Sequence, residues 1–224
     1  MKYIITEQQY NLLTEGKILE LDFDVFNYDW NLLQRFLDKK GNPPYKIIGD
    51  LDLSTTDIKT LGSLVGVEGY LTLRKNKKIE DLGNLQFVEG FLNLYGSKIK
   101  SLGNLESVGG YLDLRYTNIT SLGNLESVAG SLVLDYTNIT SLGNLKYVGG
   151  NLDLRRVQIE SLGNLQSVGG YLDLNSSEVK SLGNIQYIGG ALSIVNTPLS
   201  ETTTKEEIRN IPNLTIGGDI YLSL

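Results

Sequence analysis

Between residues 101 and 200 the chain carries five versions of one twenty-residue unit: SLGNLESVGGYLDLRYTNIT, SLGNLESVAGSLVLDYTNIT, SLGNLKYVGGNLDLRRVQIE, SLGNLQSVGGYLDLNSSEVK and SLGNIQYIGGALSIVNTPLS. DLGNLQFVEGFLNLYGSKIK (81–100) belongs to the same series, and 61–80 joins it with one extra residue inside RKNKK (74–78). A half-copy, IIGDLDLSTTDIK, opens the series near Ile47, and TIGGDIYLSL ends the chain as the second half of a copy. A unit this short cannot enclose a core. It leaves an apolar face that only the next unit can cover, so the units must stack into a solenoid.

Within a copy the apolar positions are fixed; at 101–120 they are Leu102, Leu105, Val108, Leu112, Leu114 and Ile119. The segment YLDLR alternates, with Leu112 and Leu114 inward and Tyr111, Asp113 and Arg115 outward, which is the pattern of a half-buried strand. Gly110, and Gly103 with Asn104, supply the bends. No copy between 46 and 199 has a helical apolar period, so each is expected to form one coil of a mainly β, parallel β-solenoid. The recurring asparagines Asn84, Asn104, Asn124, Asn144, Asn164 and Asn184 are expected to satisfy backbone groups at one corner.

LDLRYTNI matches the LxLxxNxL half of the leucine-rich repeat, with Thr117 at the asparagine position. Val108-Gly109-Gly110 is one residue out of register with that motif's first leucine. The spacing V-x-G-x-L-x-L followed by I-x-S-L-x-N-L resembles the receptor L domain, a right-handed β-helix relative of leucine-rich repeats. The resemblance spans about two thirds of the chain and implies a right-handed solenoid of leucine-rich-repeat-like coils. It implies nothing about a ligand, because the shared residues are core.

Three segments follow: a helical N-terminal cap (1–45), the repeats (46–199), and a closing segment with a last strand (200–224). TEQQYNLLTEG reads as a short helix with Thr6 and Gln9 as a capping box and Gly16 closing it. ILELDF (18–23) alternates like a strand. YDWNLLQRFLDKKG reads as an amphipathic helix presenting Trp30, Leu33, Phe36 and Leu37, ended by Gly41 and the prolines after it. Its expected role is to cover the first coil, with docking of a partner as the alternative. MKYIITEQQYNLL resembles the N-termini of small tailed-bacteriophage proteins, which implies a viral origin. SETTTKEEIRNIPN interrupts the period with helical turns, so either these fold over the last coil or another subunit does; self-association at this end is the second expectation.

Composition removes several function classes. A net charge of −6 argues against nucleic acid and anionic membrane as partners. The chain has no histidine and no cysteine, which excludes histidine-based triads, most zinc sites and a disulfide framework. No apolar run is long enough for a signal peptide or a membrane span, so the expected location is cytoplasmic, in a host cell or in a virion if viral. No cofactor or metal is expected; Asp153 and Asp173 alone make a poor cation site.

In a parallel stack, equivalent residues form columns along the coils. One column holds Tyr111 and Tyr171 with Ser131 and Asn151 between them; another runs Arg74, Tyr95, Arg115, Asp135, Arg155. Stacked opposite charges at Arg115, Asp135 and Arg155 are expected to support the register. With Tyr116, Tyr136 and Asp153 they also form a candidate patch for a polar ligand. Arg74, Lys75, Lys77 and Lys78 form a separate basic edge suited to an acidic or phosphate-bearing partner. Regularly recurring surface acids do not make the asymmetric constellation that catalysis needs. The expected function is therefore a non-enzymatic binding scaffold for a protein or a glycan. The alternative is a structural or assembly protein, such as a phage virion component, that stacks or docks through its ends.

Overall fold

The computed structural model describes residues 18–223; the helix expected over 6–16 lies outside them. The described residues wind into a parallel β-solenoid with two sheets along its length, one of ten strands and one of nine. In the coil at 101–120 the first sheet takes Ser107–Val108 and the second takes Leu112–Asp113. Each pairs in parallel with residues twenty further on, Val108 with Val128 and Leu112 with Leu132. Single bridges such as Ser121 to Ser141 mark a third line of contact.

The strand expected over YLDLR is thus shorter, and Ser107–Val108 is a strand that alternation does not announce. A two-residue strand shows only one inward side chain, here Val108, so it has no period to detect. The core is as read: Leu102, Leu105, Val108, Leu112, Leu114 and Ile119 are all buried, as are their counterparts in the other full copies, apart from the half-buried Leu199 in the last. Thr117 is buried too, and its hydroxyl donates to Leu114 O at 2.6 Å, closing the turn after the strand. The asparagine corner is built as expected at Asn124 and Asn184, whose Nδ2 groups donate to Gly103 O and Gly163 O, both at 3.2 Å.

Leu19–Asp22 pairs with Tyr45–Ile48, so the first sheet begins before the first recognisable repeat. Between them runs the helix Trp30–Lys39, started by Asp29, whose Oδ1 accepts from Asn31 N and Leu32 N. Its buried face is Trp30, Leu33, Phe36 and Leu37, the four residues the pattern selects, and these join the core of the first coils. At the other end the short helices Pro198–Thr202 and Lys205–Arg209 each start with a capping box, at Thr197 and Thr204. Ile208 of the second is buried in the same core as Ile220, and Arg209 donates to Gly218 O at 3.2 Å, so this turn folds back on the last coil. Thr215–Ile216 and Ile220–Tyr221 end the two sheets, in register with Tyr187–Ile188 and Leu192–Ser193. No described helix is long and apolar enough to cross a membrane.

Candidate binding surface

The second strand of most coils ends in a polar residue that caps the turn after it. Oδ1 of Asp52, Asn93, Asp113, Asp153 and Asp173 accepts from the backbone N–H two residues on, at 2.9 to 3.1 Å. This correction to an outward aspartate column matters, because Asp113 is only 3% exposed. Arg115 lies over it, donating Nε to Oδ1 at 3.0 Å and Nη2 to Oδ2 at 2.6 Å. Arg155 repeats the fork on Asp153 at 2.9 and 2.7 Å.

The expected cross-coil ladder of Arg115, Asp135 and Arg155 is therefore secondary. Each arginine forks onto its own coil's aspartate, and Asp135 stands 3.6 Å from Arg155. The near partner wins because the turn already fixes the carboxylate beside the arginine backbone, so less side chain must be ordered. Coil 121–140 has its acid displaced: Val133 takes the aspartate position and Asp135 the arginine position. Asp135 is 6% exposed and its Oδ1 accepts no hydrogen bond among the described residues; Arg156 Nη1 stands 3.9 Å away.

Tyr111, Asp153, Arg155 and Tyr171 come together around one concavity of about 370 Å³, with Asp173 at its edge and Val133 in its lining. It exists because coils 121–140 and 141–160 carry Ser131 and Asn151 where the flanking coils carry tyrosine. Three rungs separate the tyrosines, about 14 Å at normal strand spacing. A larger hollow of about 550 Å³ beside Ser141 and Ser161 has no aromatic side chain, and its Glu160 is paired with Lys180 at 2.8 Å. The tyrosine-walled trough offers both apolar surface and convergent polar groups, the combination that small binding sites use.

Three carboxylates face Arg155: Asp153 at 2.7 Å, Asp135 at 3.6 Å and Asp173 at 3.7 Å. Burial pushes the Asp173 carboxyl above its ordinary range; Asp153 and Asp135 add to this, while the Asn175 N–H and Arg155 oppose it. A carboxyl whose pKa is raised by folding binds its proton more tightly folded than unfolded. Its unfavourable contribution is therefore absent below the unfolded pKa and complete above the folded one. Asp173→Asn, which keeps the turn-capping oxygen as Asn93 does, should raise the melting temperature at neutral pH. The gain should shrink as pH falls through the carboxyl range. Thermal melts of both proteins across that range check it, and a pH-independent difference would contradict it.

Tyr116 and Tyr136 sit at the next corner, in left-handed backbone conformations with φ of 58° and 60°. Lys75, Arg156, Ser176 and Asn196 share that conformation at equivalent positions, and Gly96 marks what the backbone alone would prefer. A side chain there costs on the order of 1 kcal/mol. Sequence reading passed over this conformation, although the single glycine at 96 is its signal. The rings of Tyr116 and Tyr136 stack at 4.8 Å, Tyr95 meets Tyr116 edge-on at 5.4 Å, and the Arg156 guanidinium lies 5.1 Å from the Tyr136 ring. Identical residues one rung apart stack on one another, so these rings present edges and hydroxyls outward and keep their shared faces covered.

Arg74, Lys75, Lys77 and Lys78 lie on the same corner, with Arg74 four rungs from Arg155, so they are not part of the trough. The inserted residue falls between Asn76 and Glu80: Lys98 N bonds Asn76 O while Lys100 N bonds Glu80 O. Asn76, 2% exposed, braces the bulge by accepting Lys78 N and Ile79 N at 2.9 Å and donating to Thr56 O at 3.0 Å. Arg74 lies over the Tyr95 ring at 5.2 Å.

No protein-family model, curated protein or solved structure matches the chain. The trough and the corner beside it rest on their own geometry.

Proposed function

We propose that the protein is a non-enzymatic binding scaffold of the leucine-rich-repeat kind, which holds a protein or glycan segment in the trough between Tyr111 and Tyr171. The observation that carries this is the paired loss of tyrosine at Ser131 and Asn151. It opens a gap between two aromatic side chains, lined also by the charged groups of Asp153, Asp173 and Arg155.

Neither Tyr111 nor Tyr171 stacks on another ring among the described residues, unlike Tyr116 and Tyr136. Each is half-buried and lines the trough, and aromatic side chains in a partly enclosed setting are the usual anchors of recognition. The stacked corner of Tyr116, Tyr136 and Arg156 then acts as a rigid rim, linked to the trough through Asp135 and Arg155.

Peptide and glycan arrays probed with the intact protein and with Tyr111→Ala/Tyr171→Ala test this. The double variant should lose at least about tenfold in affinity for whatever the intact protein captures, since each anchor is worth roughly 1 kcal/mol or more. Tyr147→Ala/Tyr187→Ala, which removes two exposed tyrosines from the other sheet, should bind as the intact protein does. Equal loss in both variants, or none in the first, rejects the trough.

A further inference from the structure

The repeats supply their own control for what Asp173 lacks. In LDLR at 112–115 and again at 152–155, an aspartate carboxylate is covered by the guanidinium of the arginine two residues on. In LDLN at 172–175 the arginine is replaced by Asn175. Asn175 does not take over the role. Its Oδ1 is engaged by the Ser193 hydroxyl at 2.6 Å and by Val195 N at 2.8 Å, on the following coil. Oδ1 of Asp173 caps the turn, while Oδ2 accepts no hydrogen bond among the described residues and Arg155 Nε stands off at 3.7 Å.

We infer that the Asp173 carboxylate at the edge of the trough takes the guanidinium of an arginine from a partner protein, in the place that Arg115 fills over Asp113. The inference rests on the trough being the binding site and names what enters it.

The surroundings favour a cation. Asp135, Asp153 and Asp173 set three negative charges against two guanidiniums, Arg155 and the Arg156 group 3.9 Å from Asp135, so one more guanidinium balances the cluster. Tyr171 lies close to Asp173 and Arg155, as Tyr111 lies close to Asp113 and Arg115. The protein itself places guanidinium groups 5.1 to 5.3 Å from the Tyr95 and Tyr136 rings, so tyrosine and carboxylate together are how this scaffold already holds arginine. Planar, two-pronged donation suits arginine over lysine, because an ammonium cannot serve both carboxylate oxygens with parallel bonds. A guanidinium also points to a protein ligand.

The test uses two blocked tripeptides, glycine–arginine–glycine and glycine–citrulline–glycine, titrated into the full chain and followed by NMR. Citrulline keeps the shape and removes the charge. The arginine peptide should shift the Asp173 and Tyr171 resonances with at least about tenfold higher affinity, and leave Asp113 unmoved because its cradle is full. Asp173→Asn should abolish the difference between the peptides. Asn175→Arg, which restores the LDLR sequence and fills the cradle from within, should abolish binding while preserving the native spectrum. Equal binding of both peptides, or arginine binding that survives in the two variants, overturns the inference. If arginine selectivity is absent while array capture still depends on Tyr111 and Tyr171, the guanidinium is wrong and the trough stands. If both are absent, both fall.

Discussion

Leu132→Ala is expected to destabilise the protein by about 2–5 kcal/mol, the range for truncating a fully buried leucine. Leu132 is 0% exposed and lies between Leu112 and Leu152 in the second sheet. The upper part of that range applies, because the hole cannot close. Leu132 N bonds Asn151 O and Leu112 N bonds Ser131 O, so backbone hydrogen bonds fix the spacing of the coils that would have to move inward. A solenoid is also one-dimensional: each coil touches only its neighbours, so weakening a middle coil loosens the coupling between the two halves. Urea unfolding of the variant should show a lower midpoint and a smaller slope, because the halves no longer unfold as one. A loss below about 1 kcal/mol would mean that the coils can close up after all.

The same geometry decides how much could be read without a structure. The core was legible because leucine, valine and isoleucine recur at fixed places in every copy, and burial follows from stacking alone. The helix Trp30–Lys39 was legible because its four buried residues follow a helical period. The first strand of each coil was not, since Ser107–Val108 and Tyr147–Val148 offer one inward residue each. The candidate residues were found by columns, which located Tyr111, Tyr171, Asp153 and Arg155 on one face. Columns could not show that Asp113 and Asp153 fork with the arginines of their own coils, because that pairing depends on the turn between them. Nor could they show that Tyr116 and Tyr136 cover one another, or that Asp173 lacks the arginine cover that Asp113 and Asp153 have. That contrast appears once Asp113 is seen bound to Arg115.

Gly130→Val should be about as damaging as the loss of a core leucine, whereas Gly149→Ala should cost little. Both glycines precede a strand of the second sheet, and both have a neighbouring coil within 3 Å of where a Cβ would stand. Their columns differ. A Cβ at Gly149 would stand even closer to main chain, at Ala129 O, yet its column already contains Glu68, Glu89 and Ala129, so the coil gives way there. The column of Gly130 contains only glycine, at 49, 69, 90, 110, 150, 170, 190 and 218. A Cβ at Gly130 would lie 2.6 to 2.8 Å from Gly110 C, Gly110 O and Tyr111 N, atoms that belong to the ladder itself. Gly130 N bonds Gly110 O and Leu132 N bonds Asn151 O, so neither coil can retreat without breaking a backbone hydrogen bond. Overpacking of this kind costs about 1–3 kcal/mol even where the surroundings can yield, and no other coil has made room for a side chain at this position. Gly130→Val is therefore expected to lose about 3 kcal/mol or more and Gly149→Ala about 1 kcal/mol or less, read from paired urea transitions. Because the glycine pair sets the distance between consecutive strands, Gly130→Val should also disturb Ser131 and Val133 and weaken capture at the trough. A Gly130→Val protein as stable as Gly149→Ala would show that the invariant glycine is not a steric requirement of the coil.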